Sequence, residues 1–187
     1  MSPSLAGSVE LTFEDGPDPV WTRAILAALR GSPVRATFFV IASLAEAHPD
    51  LLAVARAEGH AIELHCYEHI RHTEVDRATI ERDTERALAV LAAVGVRPRR
   101  WRTPGAVRAP WTAEIAATHD LELCEWDIDS NDWRGHRAER MLADAGPELH
   151  HGAVVLLHDG LRPCSLREGC EETVRFARLI AAEAVAA

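Results

Sequence analysis

The stretch Leu11–Pro19, LTFEDGPDP, sets two carboxylates side by side, Glu14 and Asp15, between an apolar run and a Gly-Pro turn. Adjacent carboxylates repel, and desolvating either is costly unless a partner compensates. A metal ion or a reaction is one such partner. A simple turn is the alternative, because Asp, Gly and Pro are ordinary turn residues. His65 and His69 stand four apart in HCYEH. On a helical turn that spacing puts both on one face, where they can grip one ion. An Asp from another strand end completes a His-His-carboxylate set with open positions for water. Arg102, Asp129, Asp132, His158 and Asp159 are the other polar residues that fall just past apolar runs.

The chain must supply elements that bring these segments together. SVELTF reads as a strand with Val9, Leu11 and Phe13 on one face. WTRAILAALRGS reads as a helix closed by Gly31, ATFFVIAS as a strand, PDLLAVARAEGH as a helix and AIELHC as a strand. DRATIERDTERALAVLAAVG is a long amphipathic helix with Ile80, Leu88, Leu91 and Val94 as apolar positions. RRWRTPGA is a strand running into a turn, APWTAEIAATHD a helix and LELCEWDID a strand. AERMLADAGPEL is a helix, AVVLLHDG a strand and EETVRFARLIAAEAVAA a closing helix. Strand and helix alternate throughout, so the reading is α/β with a mainly parallel sheet, open or barrel-closed. Nothing in residues 1–187 marks a linker or repeat, and they read as a single domain. The polar residues all lie at C-terminal strand ends, which converge on one face in parallel α/β folds.

Composition narrows the chemistry. The 187 residues are 48% hydrophobic and 26% charged, which favours a globular class. The net charge of −9 argues against nucleic acid or an anionic membrane as partner. All 20 basic residues are Arg. Without Lys there is no Schiff-base chemistry and no Walker-type phosphate loop. Cys66, Cys124, Cys164 and Cys170 form no CxxC pair. They read as reduced thiols, with a Cys164–Cys170 bridge as the alternative. The N-terminus has neither a basic region nor a long apolar run, and a cytoplasmic location is expected.

Taken together, TFEDGP, HCYEH, RTPG, DSNDW and LLHDG, in that order from residue 12 to 159, resemble the motifs of the polysaccharide deacetylase family. This is the NodB homology domain, also called carbohydrate esterase family 4. ATFFV is similar to a strand of that family. The resemblance implies a distorted, incomplete (β/α) barrel that binds one divalent ion, usually zinc, with Co2+ or a similar ion as a substitute. It implies hydrolysis of an N-acetyl, sometimes O-acetyl, group on a sugar. By position, Asp15, His65 and His69 are the implied metal ligands and Glu14 the implied base. Arg102 is implied to orient that base, and Gly105 to donate a backbone N–H to the oxyanion. Asp132 is implied to pair with His158, the acid. The residue types suit amide hydrolysis, which needs a polarised carbonyl, a base for water and a proton for the amine.

The chain departs from the family pattern in places. Glu14 stands where the family has Asp, one methylene shorter. Cys66 replaces Ser or Thr, Gly105 replaces an aromatic, and His72 stands where an apolar residue is common. Cys66 reads as packing, with thiolate ligation as its alternative. Asp129 reads as a turn residue or a hydrogen-bond acceptor. Glu68 and Asp159 read as local hydrogen-bonding partners. Trp21, Tyr67, Trp111 and Trp133 read as core, with stacking on a sugar as the alternative. His48, His60, His119, His136, His150 and His151 read as loop or helix-end residues. Two further functions stay open on the same fold. One is a deacylase of a small intracellular acylated metabolite. The other is a catalytically weak metal- or carbohydrate-binding protein, suggested by Glu14. The oligomeric state is not legible.

Overall fold

The computed structural model describes residues 9–186. The first eight residues, on which the reading of the N-terminus rests, and Ala187 lie outside them. Strands and helices run β1 (Glu10–Glu14), α1 (Trp21–Leu29), β2 (Ala36–Ile41), α2 (Ala42–Ala47), α3 (Pro49–Ala57) and β3 (Ala61–Cys66). They continue as α4 (Arg77–Ala93), β4 (Arg100–Trp101), α5 (Thr112–Thr118), β5 (Glu122–Leu123) and β6 (Ile128–Asp129). The last are α6 (Ala138–Ala145), β7 (Val154–His158) and α7 (Glu171–Ala186). No helix among the described residues is long and apolar enough to cross a membrane.

All strand pairings are parallel, in one seven-stranded sheet of order β5-β4-β3-β2-β1-β7-β6. The two edge strands, β5 and β6, are consecutive in the chain. Laid flat, six strand spacings would separate them by about 29 Å. Five Cα steps, from Leu123 to Ile128, reach at most about 18 Å. The sheet must therefore curl until its edges approach, which makes it an incomplete barrel. The bridging residues finish the closure. Cys124 N–H donates to Trp101 O (3.0 Å) and Asp127 N–H to Val154 O (2.9 Å).

This corrects the single strand expected over LELCEWDID. Two dipeptide strands lie there on opposite edges of the sheet, joined by the crossing at 124–127. A second difference is α2. The run ATFFVIAS leaves the sheet at Ile41, and Ala42 begins a helix too short to show a period.

Side-chain alternation sorts the sheet's two faces. Leu11, Phe13, Phe38, Val40, Ile62, Leu64, Trp101, Val155 and Leu157 join the buried apolar cluster. Residues from α1, α4 and α7, among them Ile25, Leu91 and Phe176, belong to the same cluster. The alternate positions carry Thr12, Glu14, Thr37, Glu63, His65, Arg102 and His158. Those polar residues share the concave face, inside the curl.

Candidate active site

The loop after β1 is built from strained backbone and tight contacts. Asp15 lies in the left-handed region (φ 76°), which Asp tolerates better than most residues, and Gly16-Pro17 is cis. Asp159, one residue past β7, holds this loop. Its buried carboxylate accepts hydrogen bonds from Gly16 N (3.1 Å) and Thr22 Oγ1 (2.5 Å). Burial pushes the Asp159 carboxyl up to about 7, against those two bonds. A Cβ on Gly160 would collide with the Asp15 carbonyl, so only glycine lets the two loops meet there.

His65 is the penultimate residue of β3, and His69 follows in a loop rather than on a helical turn. The sharing of one face comes instead from a reversal of the chain, pinned by Asp83 of α4. Its two carboxylate oxygens accept from Tyr67 N and Glu68 N, each at 2.8 Å. Burial raises the Asp83 carboxyl despite these bonds. The His65 and His69 rings end with centroids 5.2 Å apart.

Asp15, His65 and His69 form one cluster whose ligand atoms all lie within 4.8 Å of one another. Asp15 Oδ1 stands 3.6 Å from His65 Nε2 and 3.5 Å from His69 Nε2. His65 Nδ1 bonds the Arg102 carbonyl at 2.6 Å. A carbonyl only accepts, so Nδ1 carries the proton and Nε2 presents its lone pair. Asp15 Oδ1 and His65 Nε2 are buried without hydrogen-bond partners among the described residues. Buried polar atoms left in this way are costly. A divalent ion among them would remove that cost, and the two-nitrogen, one-oxygen donor set fits zinc. Cys66 is buried outside this cluster. Burial raises its thiol well above the ordinary value, against thiolate ligation. All four cysteines are free, Cys164 exposed and Cys170 buried, so the alternative Cys164–Cys170 bridge is absent.

Glu14, the last residue of β1, is 4% exposed. Arg102 Nη1 meets its Oε1 at 3.3 Å and donates to Thr12 Oγ1 at 2.7 Å. Arg102 Nη2 donates to Glu125 O (2.8 Å), tying the guanidinium to the crossing at 124–127. The same group stacks over Phe39, 4.1 Å from the ring centroid. Glu14 Oε2 is 3.8 Å from His65 Nε2 and 3.9 Å from His158 Nε2.

His158 ends β7. Its Nδ1 bonds Asp132 Oδ1 at 2.8 Å. Asp132 Oδ2 accepts from His158 N (2.9 Å), Arg167 Nη1 (3.0 Å) and Thr173 Oγ1 (2.7 Å). Burial disfavours charge on both partners, but their mutual attraction prevails. Asp132 is held down to about 2, with Arg167 and Thr173 assisting. His158 is lifted to about 9, chiefly by Asp132.

A cleft of about 250 Å³ opens over these groups, its walls including Gly105, Trp126, Trp133 and Leu156. Gly105 has φ 62°, and no side chain there narrows the opening. Asp129 is both a turn residue and an acceptor. It bonds Asn131 N (2.8 Å) and orients the Trp133 indole (Nε1 to Oδ2, 3.3 Å). Trp21 and Trp111 pack against the core, and Tyr67 is buried within it. His72 is buried, bonded to Thr112 Oγ1 (2.9 Å) and stacked with Trp111; burial pushes its ring down to about 4. His60 is structural as well, with its Nδ1 accepting from Ala36 N at 3.1 Å.

The structure thus brings Glu14, Asp15, His65, His69, Arg102, Gly105, Asp132 and His158 to one end of the sheet. Sequence reasoning missed Thr12, Asp83, Trp126, Arg162, Arg167 and Thr173, which reach the site through tertiary contacts without a local pattern.

Known proteins share this arrangement's chain and fold. The profile of the family described as polysaccharide deacetylase matches residues 2–124. A chitooligosaccharide deacetylase of Bradyrhizobium is 32% identical over 173 residues, 90% of this chain and 78% of that protein. One from Rhizobium leguminosarum bv. trifolii is 35% identical over 162 residues, 83% of this chain and 73% of that protein. The solved structure of a family 4 carbohydrate esterase from Streptomyces lividans, in complex with acetate, is similar with a TM-score of 0.84. It is 28% identical and covers 96% of this chain and 88% of that one. Profile, relatives and curled sheet agree, and the chain belongs to the polysaccharide deacetylase family.

Proposed function

We propose that this chain is a metal-dependent deacetylase that hydrolyses the N-acetyl group of an N-acetylglucosamine-containing saccharide. The relatives named above are chitooligosaccharide deacetylases, which supports the substrate class. The observation that carries the reading is the position of Glu14. Its carboxylate is fixed by Arg102 and lies within 4 Å of both His65 Nε2 and His158 Nε2. Base, metal ligand and acid therefore surround one point in the cleft.

Asp15, His65 and His69 would hold a divalent ion, zinc or a similar ion such as cobalt, which would supply Lewis-acid chemistry toward the acyl oxygen and water. Glu14 takes the proton from the attacking water. Arg102 keeps one oxygen of Glu14 engaged, so the other is free to receive it. The Gly105 N–H, at the cleft wall, is the proposed donor to the acyl oxygen as charge develops there. His158 Nδ1 stays on Asp132, so the transferable proton is on Nε2. It passes to the sugar nitrogen as the C–N bond breaks, leaving acetate and a free amine. The Asp132 charge keeps His158 in the acid form at neutral pH.

The test is acetate release from N-acetylated chitooligosaccharides by zinc-loaded and chelated protein, with Glu14→Gln as the control. Zinc-dependent release, lost in Glu14→Gln, is the expected result. Zinc-independent release overturns the mechanism, and no release from any acylated amino sugar overturns the function.

A further inference from the structure

The cleft carries more positive charge at its rim than acetyl transfer to water requires. Arg71 and Arg162 both line it, and neither belongs to the machinery above. Arg162 follows β7, and its guanidinium lies beside Asp15. Nε is 3.9 Å from Asp15 Oδ1, and Nη2 reaches the Asp15 carbonyl at 3.5 Å. The first is too long for a hydrogen bond and the second is at the limit. Arg162 Nε is buried with no acceptor. Once Asp15 Oδ1 serves a metal, it has still less to offer this arginine.

Arg71 is similarly free. Its only ion pair among the described residues is with Glu74 at 3.7 Å, and both side chains are more than half exposed. Such a pair is worth little. Arg71 Nε lies 3.6 Å from where a Cβ on Gly105 would stand. Both Gly105 and Arg71 line the cleft, and glycine at 105 adds no side chain beside that guanidinium.

Two carboxylates of the cleft, by contrast, are held by partners. Glu14 is held by Arg102, and Asp129 by Asn131 N and the Trp133 indole. Asp15 belongs to the metal cluster. With Asp15 committed to a metal, the charges left over at the mouth are those of Arg71 and Arg162, on a chain of net charge −9 that would otherwise repel an anion. Guanidinium groups bind carboxylate and phosphate through paired N–H donors.

We infer that Arg71 and Arg162 form a subsite for an anionic group, carboxylate or phosphate, on the N-acylated amino sugar that enters this cleft. This rests on the proposed deacetylase reading and specifies its substrate class.

Calorimetric binding to the zinc-loaded protein tests it with three probes. They are N-acetylglucosamine, its 3-O-lactyl ether, which adds a carboxylate, and its 6-phosphate. At least one anionic probe should bind about tenfold or more tightly than the neutral sugar, the scale of charge-assisted hydrogen bonds. The lactyl ether or the phosphate, whichever binds tighter, identifies the source of the anion. The preference should shrink at high salt and vanish in Arg71→Met/Arg162→Met with zinc content unchanged. Arg71→Met alone, at an exposed position, should lose part of it. Equal binding of all three probes overturns the inference, as does a preference that survives in the double variant. If Arg162 only supports Asp15, the variant loses zinc and binds every probe equally weakly, which also overturns it. Acetate release without anion preference defeats this inference alone. Absence of release from any probe defeats the deacetylase reading, while the binding ratios still decide the subsite.

Discussion

Asp15 and Asp132 are both buried carboxylates beside a histidine, yet they are built in opposite ways. Asp132 is saturated, with one oxygen on His158 Nδ1 and the other accepting from a backbone N–H, an arginine and a threonine. Among the described residues Asp15 Oδ1 has no hydrogen-bond donor, and its neighbour His65 Nε2 is equally bare. A satisfied carboxylate sets the charge and direction of its histidine. An unsatisfied pair is complete only with something bound. In the proposed mechanism the difference separates the group that holds from the groups that ligate, although both are Asp–His pairs at the same end of the sheet.

Single replacements at the two carboxylates and their histidines break or confirm that contrast most directly. Asp15→Ala should lose the metal and reduce turnover to background, as should His69→Ala. Asp132→Asn and His158→Ala should keep metal near one equivalent while lowering turnover. Elemental analysis of the four variants decides, and stoichiometric metal in Asp15→Ala would erase the distinction.

Glu14 lies between the two pairs. Glu14→Gln keeps the size but cannot accept the proton, and deacetylation should fall by about a hundredfold to ten-thousandfold. Metal content should stay near that of the parent. Glu14→Asp sharpens the point. If the extra methylene is a mismatch, Asp raises activity on chitooligosaccharides. If it suits another substrate, Asp lowers activity on that one. Full activity of Glu14→Gln on every cleaved substrate would falsify the assignment of Glu14 as base.

On the proposed acid side, His158 would work while protonated, so activity should decline as pH rises through about 9. Asp132→Asn removes the charge that lifts it, and the alkaline limb of kcat should move down toward the ordinary histidine range. An unmoved limb would separate Asp132 from the acid function.

Stability gives smaller signals. Zinc at about a hundred times its Kd should stabilise the native state by about 2.7 kcal/mol, or roughly 5–10 °C in Tm. Asp15→Ala should abolish that increment and Asp132→Asn should preserve it. The Asp132–His158 contact should show instead as pH dependence. His158 is raised, so its contribution is full below the ordinary histidine pKa of 6.5 and lost as pH climbs through about 9. Asp132 is lowered, so its contribution is present above 3.8 and lost as pH falls through about 2. Denaturation of the parent and Asp132→Asn across these windows measures a single shared interaction, and parallel curves would remove it.

Much of the site was legible because strand alternation is local. Glu14, His65, Arg102 and His158 each sit at the end of a strand or just past it, out of phase with apolar neighbours. That phase alone sends them to the concave face. The motif order then joined segments that spacing could not. What stayed hidden depends on the curl. Nothing in LELCEWDID marks residues 124–127 as a crossing between sheet edges, since the break is imposed by Trp101, Val154 and Arg102 from elsewhere. Asp83 lies on a helix legible only by its apolar side, and it fixes His69 from outside the HCYEH segment. Arg167 and Thr173 reach Asp132 from beyond the last strand, by contacts no pattern encodes.

The strand order also gives the site a timetable. Asp15, His65 and His69 all lie within β1–β3 and the loop after them, three strands that neighbour one another in the order β3-β2-β1. His158 arrives on β7, whose partner is β1; Thr12 and Val155, bonded across that pair, are 143 residues apart. A loop of that size closes slowly and late. On a chain emerging from its N-terminus, the proposed ligand set is therefore present before the proposed acid. Until β7 docks, one side of β1 is an open edge, the kind of surface that recruits other strands. The same strand that completes the chemistry also covers that edge, so proton donation and protection from misassembly become available in one event.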